Sequence, residues 1–136
     1  SAEFIPTYRA LNRAVGSGLI ASAHGVYRGG LAVHLAMVAM GGNLGLQVDA
    51  RRVPAADPHR TDTLLFSESV GRFIVTVDPV RRRDFEALFT GCPCACIGTV
   101  SAEPVLRVEG LDGAVVISAA VADLKASWKR PFGNLI

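Results

Sequence analysis

The sequence predicts an α+β domain, a mixed β-sheet flanked by helices, and three observations carry that expectation. Apolar residues recur at helical spacing in some stretches and alternate, or cluster as β-branched runs, in others. The segments follow the order α-β-α-β, loop, β-α-β-β-β-α, without the strict βαβ repeat of a doubly wound sheet. Half of the 136 residues are apolar and 19% are charged, enough for a single domain over residues 1–136 to bury a core.

Residues 5–15 read as a helix, with Pro6 tolerated in its first turn and Tyr8, Leu11 and Val15 on one face. Gly16-Ser17-Gly18 stops it, and residues 19–23 form a strand. The stretch SAHGVYRGGLAVHLAMVAMGGNLG, from Ser22 to Gly45, organises the rest. Its strand end runs into a short loop carrying His24, Tyr27 and Arg28. Gly29-Gly30 opens a helix that reaches Met40, and Gly41-Gly42 closes it. That helix is apolar almost all round, with His34 its one polar side chain, so it belongs against a sheet. Leu44, Leu46 and Val48 then alternate with Gly45, Gln47 and Asp49 as a half-buried strand.

Residues 51–63 carry Pro54, Asp57-Pro58 and several charges, and read as a long flexible loop. Leu64-Leu65-Phe66 is a short apolar entry to Ser67-Glu68-Ser69. Residues 73–77, β-branched and aromatic, form a strand. Asp78-Pro79 starts a helix, Asp as cap and Pro in the first position, with Phe85, Leu88 and Phe89 inward and Gly91 at its end. Strands follow at 95–100, 105–108 and 114–118, the last two joined by a hairpin turn at 110–113. A final helix from Val121 sets Val121, Leu124 and Trp128 inward and stops before Pro131.

A net charge of +2 is too small to imply a nucleic-acid partner, and Arg81-Arg82-Arg83 reads as a solvated face. No apolar run reaches the ~18 residues that would span a membrane, and no secretory signal is visible. The three cysteines crowd into Cys92-Pro-Cys94-Ala-Cys96, a poor disulfide framework and a poor zinc motif, so reduced thiols, no metal site and a cytoplasmic protein are expected. The chain opens on Ser1 without an initiator methionine, as an excised fragment of a longer enzyme would.

Two clusters are candidate sites. Backbone N–H groups at Gly29 and Gly30, with Arg28 nearby, suit a phosphate or carboxylate at a helix N-terminus; equally, the glycines serve tight packing. Ser67-Glu68-Ser69 with Arg72 is polar between apolar segments. One account is a tight corner at Val70-Gly71 with Glu68 paired to Arg72. The other is a corner presenting two hydroxyls, a carboxylate and a guanidinium to a ligand. Pairing Ser67 or Ser69 with His24 or His34 makes no recognisable nucleophile–base motif, so no catalytic residue is assigned.

The strings SAHGVYRGGLAVHLAMVAMGGNLGLQVD, LLFSESVGRFIVTVDP and CACIGTVSAEPVLRV, with the closing DLKASWKRPF, resemble in order the C-terminal domain of phosphoribosylformylglycinamidine synthase. That enzyme belongs to the aminoimidazole ribonucleotide synthetase superfamily. The resemblance implies the fold of that C-terminal domain and a part in an ATP-dependent C–N ligase of purine synthesis. ATP with magnesium phosphorylates an amide oxygen of formylglycinamide ribonucleotide, and ammonia from a glutamine amidotransferase subunit or domain displaces phosphate to give the amidine. The implied partners are a missing N-terminal ATP-binding domain, the amidotransferase and the ribonucleotide. Neither ATP nor magnesium is expected to bind this chain tightly, and the chain alone should be inactive. Apolar surface left for the missing domain makes a homodimer an expectation.

Position by position, Ser67, Glu68, Ser69 and Arg72 fall on the SES-x-GR motif, implying substrate contact, while His24, Gly29 and Gly30 fall on the H-x-x-x-x-GG positions, implying phosphate contact. The family's HDVSDGG is changed: Gly25 and Arg28 replace its two acids and Tyr27 its serine. The alternatives are a non-catalytic scaffold or interface domain, or the C-terminal domain of a sister enzyme such as a selenophosphate synthetase or a thiamine-monophosphate kinase.

Overall fold

The computed structural model describes residues 4–135. Helix α1 (Phe4–Gly16) leads to strand β1 (Ser22–Val26), helix α2 (Gly30–Gly42) and strand β2 (Gly45–Asp49). A short helix α3 (Thr61–Phe66) precedes strand β3 (Arg72–Thr76) and helix α4 (Arg82–Leu88). Strands β4 (Gly98–Ser101), β5 (Val105–Glu109) and β6 (Val115–Ala120) run into helix α5 (Val121–Lys129).

The architecture is α+β with a mixed sheet, as the alternation of patterns predicts. Four strands lie in the order β4-β2-β5-β6, with β2 and β5 parallel and the outer pairs antiparallel. The register sets Leu46 beside Leu106 and Val48 beside Val108, so one face of the central pair is wholly apolar. Leu106 and Val108 are 1% and 0% exposed. Against that face lie Leu31, Ala32, Leu35 and Ala39 of α2, Leu64 and Leu65 of α3, and Val121 of α5.

The second sheet was not foreseen: β1 and β3 form a separate antiparallel ribbon, His24 opposite Ile74. Alternation along β3 lets the ribbon serve two cores. Ile74 faces the main core, while Val75 packs on a smaller cluster of Ala10, Ala14, Leu19, Phe85 and Phe89 between α1 and α4.

Several boundaries differ from the sequence expectation, each for a local reason. Strand β1 begins at Ser22 and includes His24, because Leu19 is drawn into the α1–α4 cluster instead. Helix α2 runs through Gly41 and Gly42; the left-handed residue that caps it is Asn43, at φ 52°. Its side-chain oxygen accepts from Lys125 Nζ at 3.0 Å, tying the helix end to α5. Leu64-Leu65-Phe66 is the last turn of a helix, not an approach to a strand, so the stretch 51–63 is partly ordered, with a 3₁₀ turn over Ala50–Arg52. Strand β4 starts only at Gly98, where the backbone of Gln47 leaves no room for a Cβ. Trp128 is 52% exposed; Val121 and Leu124 make the inward face of α5. Asp78 does cap the turn before α4, accepting from Val80 N–H at 3.0 Å.

The misassigned glycine yields a stability test. Gly41 lies inside α2 with no positive φ and open space where a Cβ would be. Gly41→Ala should therefore stabilise the chain by up to about 1 kcal/mol, read as a higher denaturation midpoint at unchanged m-value.

Candidate functional site

The two clusters singled out in the sequence meet in space. The N–H of Gly29, just before α2, donates to Glu68 Oε1 at 2.9 Å. Gly30 sits at φ 73°, and a Cβ there would lie 2.6 and 2.7 Å from the carbonyl carbon and Cα of Phe66 and 2.8 Å from the Ser67 oxygen. The glycine pair thus permits backbone contact between the start of α2 and the end of α3, and the helix N-terminus faces a carboxylate of its own chain. The Gly30 N–H is also engaged, donating to Tyr27 O at 3.1 Å.

Glu68 is not paired to Arg72. The Arg72 guanidinium instead donates to two backbone carbonyls, Ser69 O at 3.3 Å and Ser67 O. It is half-buried there, and burial makes it a weaker base than an exposed arginine. Arg72 therefore braces the corner from within. The corner itself is tight, as its Val70-Gly71 pair suggests: Gly71 takes φ 82°, and the Phe4 ring of α1 occupies the place of a Cβ. Glu68 and Ser69 are exposed and Ser67 is partly exposed. Ser67 also borders a hollow of about 400 Å³ lined by Ala55, Pro58, Thr63 and Leu64.

His24 belongs to a third group that joins the first two. The Tyr27 N–H donates to His34 Nε2 at 2.9 Å, and a backbone N–H can only donate. The same Nε2 lies 3.1 Å from the Arg28 carbonyl oxygen, which can only accept, and His34 Nδ1 lies 2.7 Å from His24 Nε2, so a single hydrogen bond joins the two rings. His34 is 5% exposed, the buried polar residue of a helix otherwise packed with apolar ones. The sequence marked His34 as an oddity without supplying its partner, because the pairing depends on β1 reaching past residue 23. Burial chiefly, and then the repulsion His34 would exert once protonated, hold His24 below the ordinary histidine range, so it is neutral near pH 7. Tyr27, which the sequence placed in this loop in the position of the family's serine, packs here too. Its ring stands edge-on to His34, with centroids 5.8 Å apart and planes at 78°.

Among the described residues no three His, Cys, Asp or Glu side chains converge as a metal site would require. Cys92, Cys94 and Cys96 are free, and burial raises the Cys94 thiol pKa. Among the described residues, too, no helix is long and apolar enough to cross a membrane.

A ribbon and a mixed sheet joined through a glycine-gated helix, with an SES corner at its N-terminus, define a class of domain. Residues 3–110 match the family described as AIR synthase related protein, C-terminal domain, and the chain belongs to it. Within that family its similarity is to phosphoribosylformylglycinamidine synthase. The subunit PurL of Limosilactobacillus reuteri (strain DSM 20016) is 38% identical over 114 residues, 84% of this chain and 14% of that protein. Among solved structures, Thermotoga maritima PurL complexed with FGAR superposes with a TM-score of 0.75 at 26% identity, covering 85% of this chain and 20% of the other. The same protein complexed with ATP gives 0.75 at 27%, with the same coverage. The chain thus spans about a seventh of the length of the curated relative.

Two measurements probe this junction. Gly30→Ala forces a Cβ onto backbone at positive φ and should destabilise by about 1–3 kcal/mol, seen in the urea midpoint. The His24 shift sets a pH dependence. Its folded pKa lies below the unfolded one, so the stability it contributes is complete above about pH 6.5 and lost as pH falls through the folded value. Between about pH 7.5 and 5.5 the melting temperature should drop further in the native chain than in His24→Gln; an equal drop would remove His24 as the cause.

Proposed function

We propose that this chain is the C-terminal part of an ATP-dependent phosphoribosylformylglycinamidine synthase, inactive alone and completed by a nucleotide-binding N-terminal domain. The reaction is phosphorylation of the amide oxygen of formylglycinamide ribonucleotide, then displacement of phosphate by ammonia from a glutamine amidotransferase partner, in the cytoplasm. The observation that carries this reading is the junction of Gly29-Gly30 with Ser67-Glu68-Ser69. It supports a preformed corner in which Glu68 and Ser69 are exposed and Ser67 borders a shallow hollow.

In this reading Ser67 and Ser69 offer hydroxyls to the substrate, Glu68 offers the oxygen not held by Gly29, and Arg72 keeps the corner in shape. Phosphate contact at Gly29, Gly30 and His24 requires Glu68 to leave the Gly29 N–H, so substrate and carboxylate compete for one donor. With Gly25, Tyr27 and Arg28 in the loop, the residues present do not fit a magnesium ion, and the metal accompanying ATP is assigned to the rest of the enzyme. Chemistry of this kind rests on positioning and charge neutralisation, which a rigid wall can serve without a catalytic side chain.

The test uses an enzyme of the relatives' full length carrying this domain. Glu68→Ala and Arg72→Ala should each lower kcat/KM for amidine formation by about tenfold or more, with melting temperatures followed in parallel. Activity retained in both would reduce the domain to a scaffold and overturn the reading.

A further inference from the structure

Three thiols fall within Cys92-Pro93-Cys94-Ala95-Cys96, in the link from α4 to β4, and all three are free. Neither the SES corner nor the start of α2 uses them. No helix or turn interrupts residues 93–97, and the Asp49 N–H donates to the Ile97 oxygen at 2.8 Å, which carries the β2–β4 ladder back beyond Gly98. In an extended segment side chains two apart share a face. Their Cα atoms are then at most about 7 Å apart, at the upper limit of what a disulfide bridges.

The three sulfurs differ in their surroundings. Cys92 is half-buried and packs on the α1–α4 cluster. Cys96 is half-buried too, and its S–H donates to the Gly98 oxygen at 3.5 Å. Cys94 is exposed. Partial burial first, then the charges of Glu86 and the neighbouring cysteines, raise its thiol pKa, so it stays protonated near pH 7. Arg82, bound to Glu86 Oε1 at 2.8 Å, is held above the ordinary arginine range by Glu86 and then by the charge a Cys96 thiolate would carry. A cation therefore stands by Cys96, and it is the thiolate that reacts with oxidants.

We propose that Cys94 and Cys96 are a reversible redox pair, closed to a disulfide by a hydroperoxide and reopened by a low-molecular-weight dithiol. The Cys96 thiolate attacks a peroxide oxygen: an S–O bond forms, the O–O bond breaks, and the hydroxide released takes up a proton as water. The Cys94 sulfur then attacks the sulfenic sulfur. The S–S bond forms, the S–O bond breaks, and the Cys94 thiol proton leaves with the hydroxide as a second water. Cys92, held in apolar packing, stays reduced. The free thiols are the resting form; disulfides of reducing compartments are typically transient and redox-sensing. The inference does not rest on the synthase reading.

The test exposes the folded 136-residue chain to dilute hydrogen peroxide, then unfolds it, alkylates the remaining thiols and weighs tryptic peptide 84–107, which holds all three cysteines. Before oxidation the peptide should carry three alkyl groups; afterwards it should carry one, with no added oxygen and no link between chains. Dithiothreitol should restore all three. Cys92→Ala should oxidise as the native chain does and leave no free thiol, whereas Cys94→Ala and Cys96→Ala should form no internal disulfide. Arg82→Gln should slow closure roughly threefold or more. Three alkyl groups surviving peroxide would overturn the proposal, as would pairing that needs Cys92 or oxygenated sulfur without a disulfide. Closure at the native rate in Arg82→Gln would also overturn it, because Cys96 would then owe nothing to the cation beside it.

Discussion

The contact between the Gly29 N–H and the Glu68 carboxylate, made where Gly30 presses on the backbone of Phe66 and Ser67, is the constraint on which the rest depends. Helix α2 is enclosed on several sides: residues of the sheet, α3 and α5 all pack in one cluster with it. Its start fixes where α3 must end, and the end of α3 fixes the corner that leads into β3. A side chain larger than hydrogen at residue 30 would part the two backbones. The corner's shape then follows from Arg72, whose guanidinium gathers the carbonyls of Ser67 and Ser69.

The same junction has an electrostatic logic. A helix N-terminus favours an anion by about 0.3–1 kcal/mol at an exposed site, and here Glu68 supplies it from within the chain. That holds the corner without a ligand and leaves the other Glu68 oxygen free of the Gly29 N–H. It also means that an incoming anion meets an occupied donor.

Much of this was legible in the sequence. The order of elements, the mixed sheet and the closeness demanded by Gly29-Gly30 follow from periodicity and from what glycine alone permits. The SES corner stood out because Glu68 and its serines interrupt an apolar stretch. What could not be read were pairings across distance. Arg72 looked like a partner for Glu68 because both are charged and near in sequence, but carbonyls at 67 and 69 lie closer to its reach. His24 and His34 are ten residues apart, and only the register of β1 against β3 brings their rings together. Trp128 obeyed helical spacing yet lies near the end of α5 and is 52% exposed.

If α2 and the SES corner are one unit held by a single carboxylate, the amide of Gly29 should report it. Hydrogen exchange followed by NMR in the native chain and in Glu68→Ala is the most direct measurement. The account predicts that exchange at Gly29 accelerates in the variant while the amides of Leu106 and Val108, deep in the sheet, keep their protection. Unchanged exchange at Gly29 would contradict it, because the contact from which the corner is built would then contribute nothing to holding it.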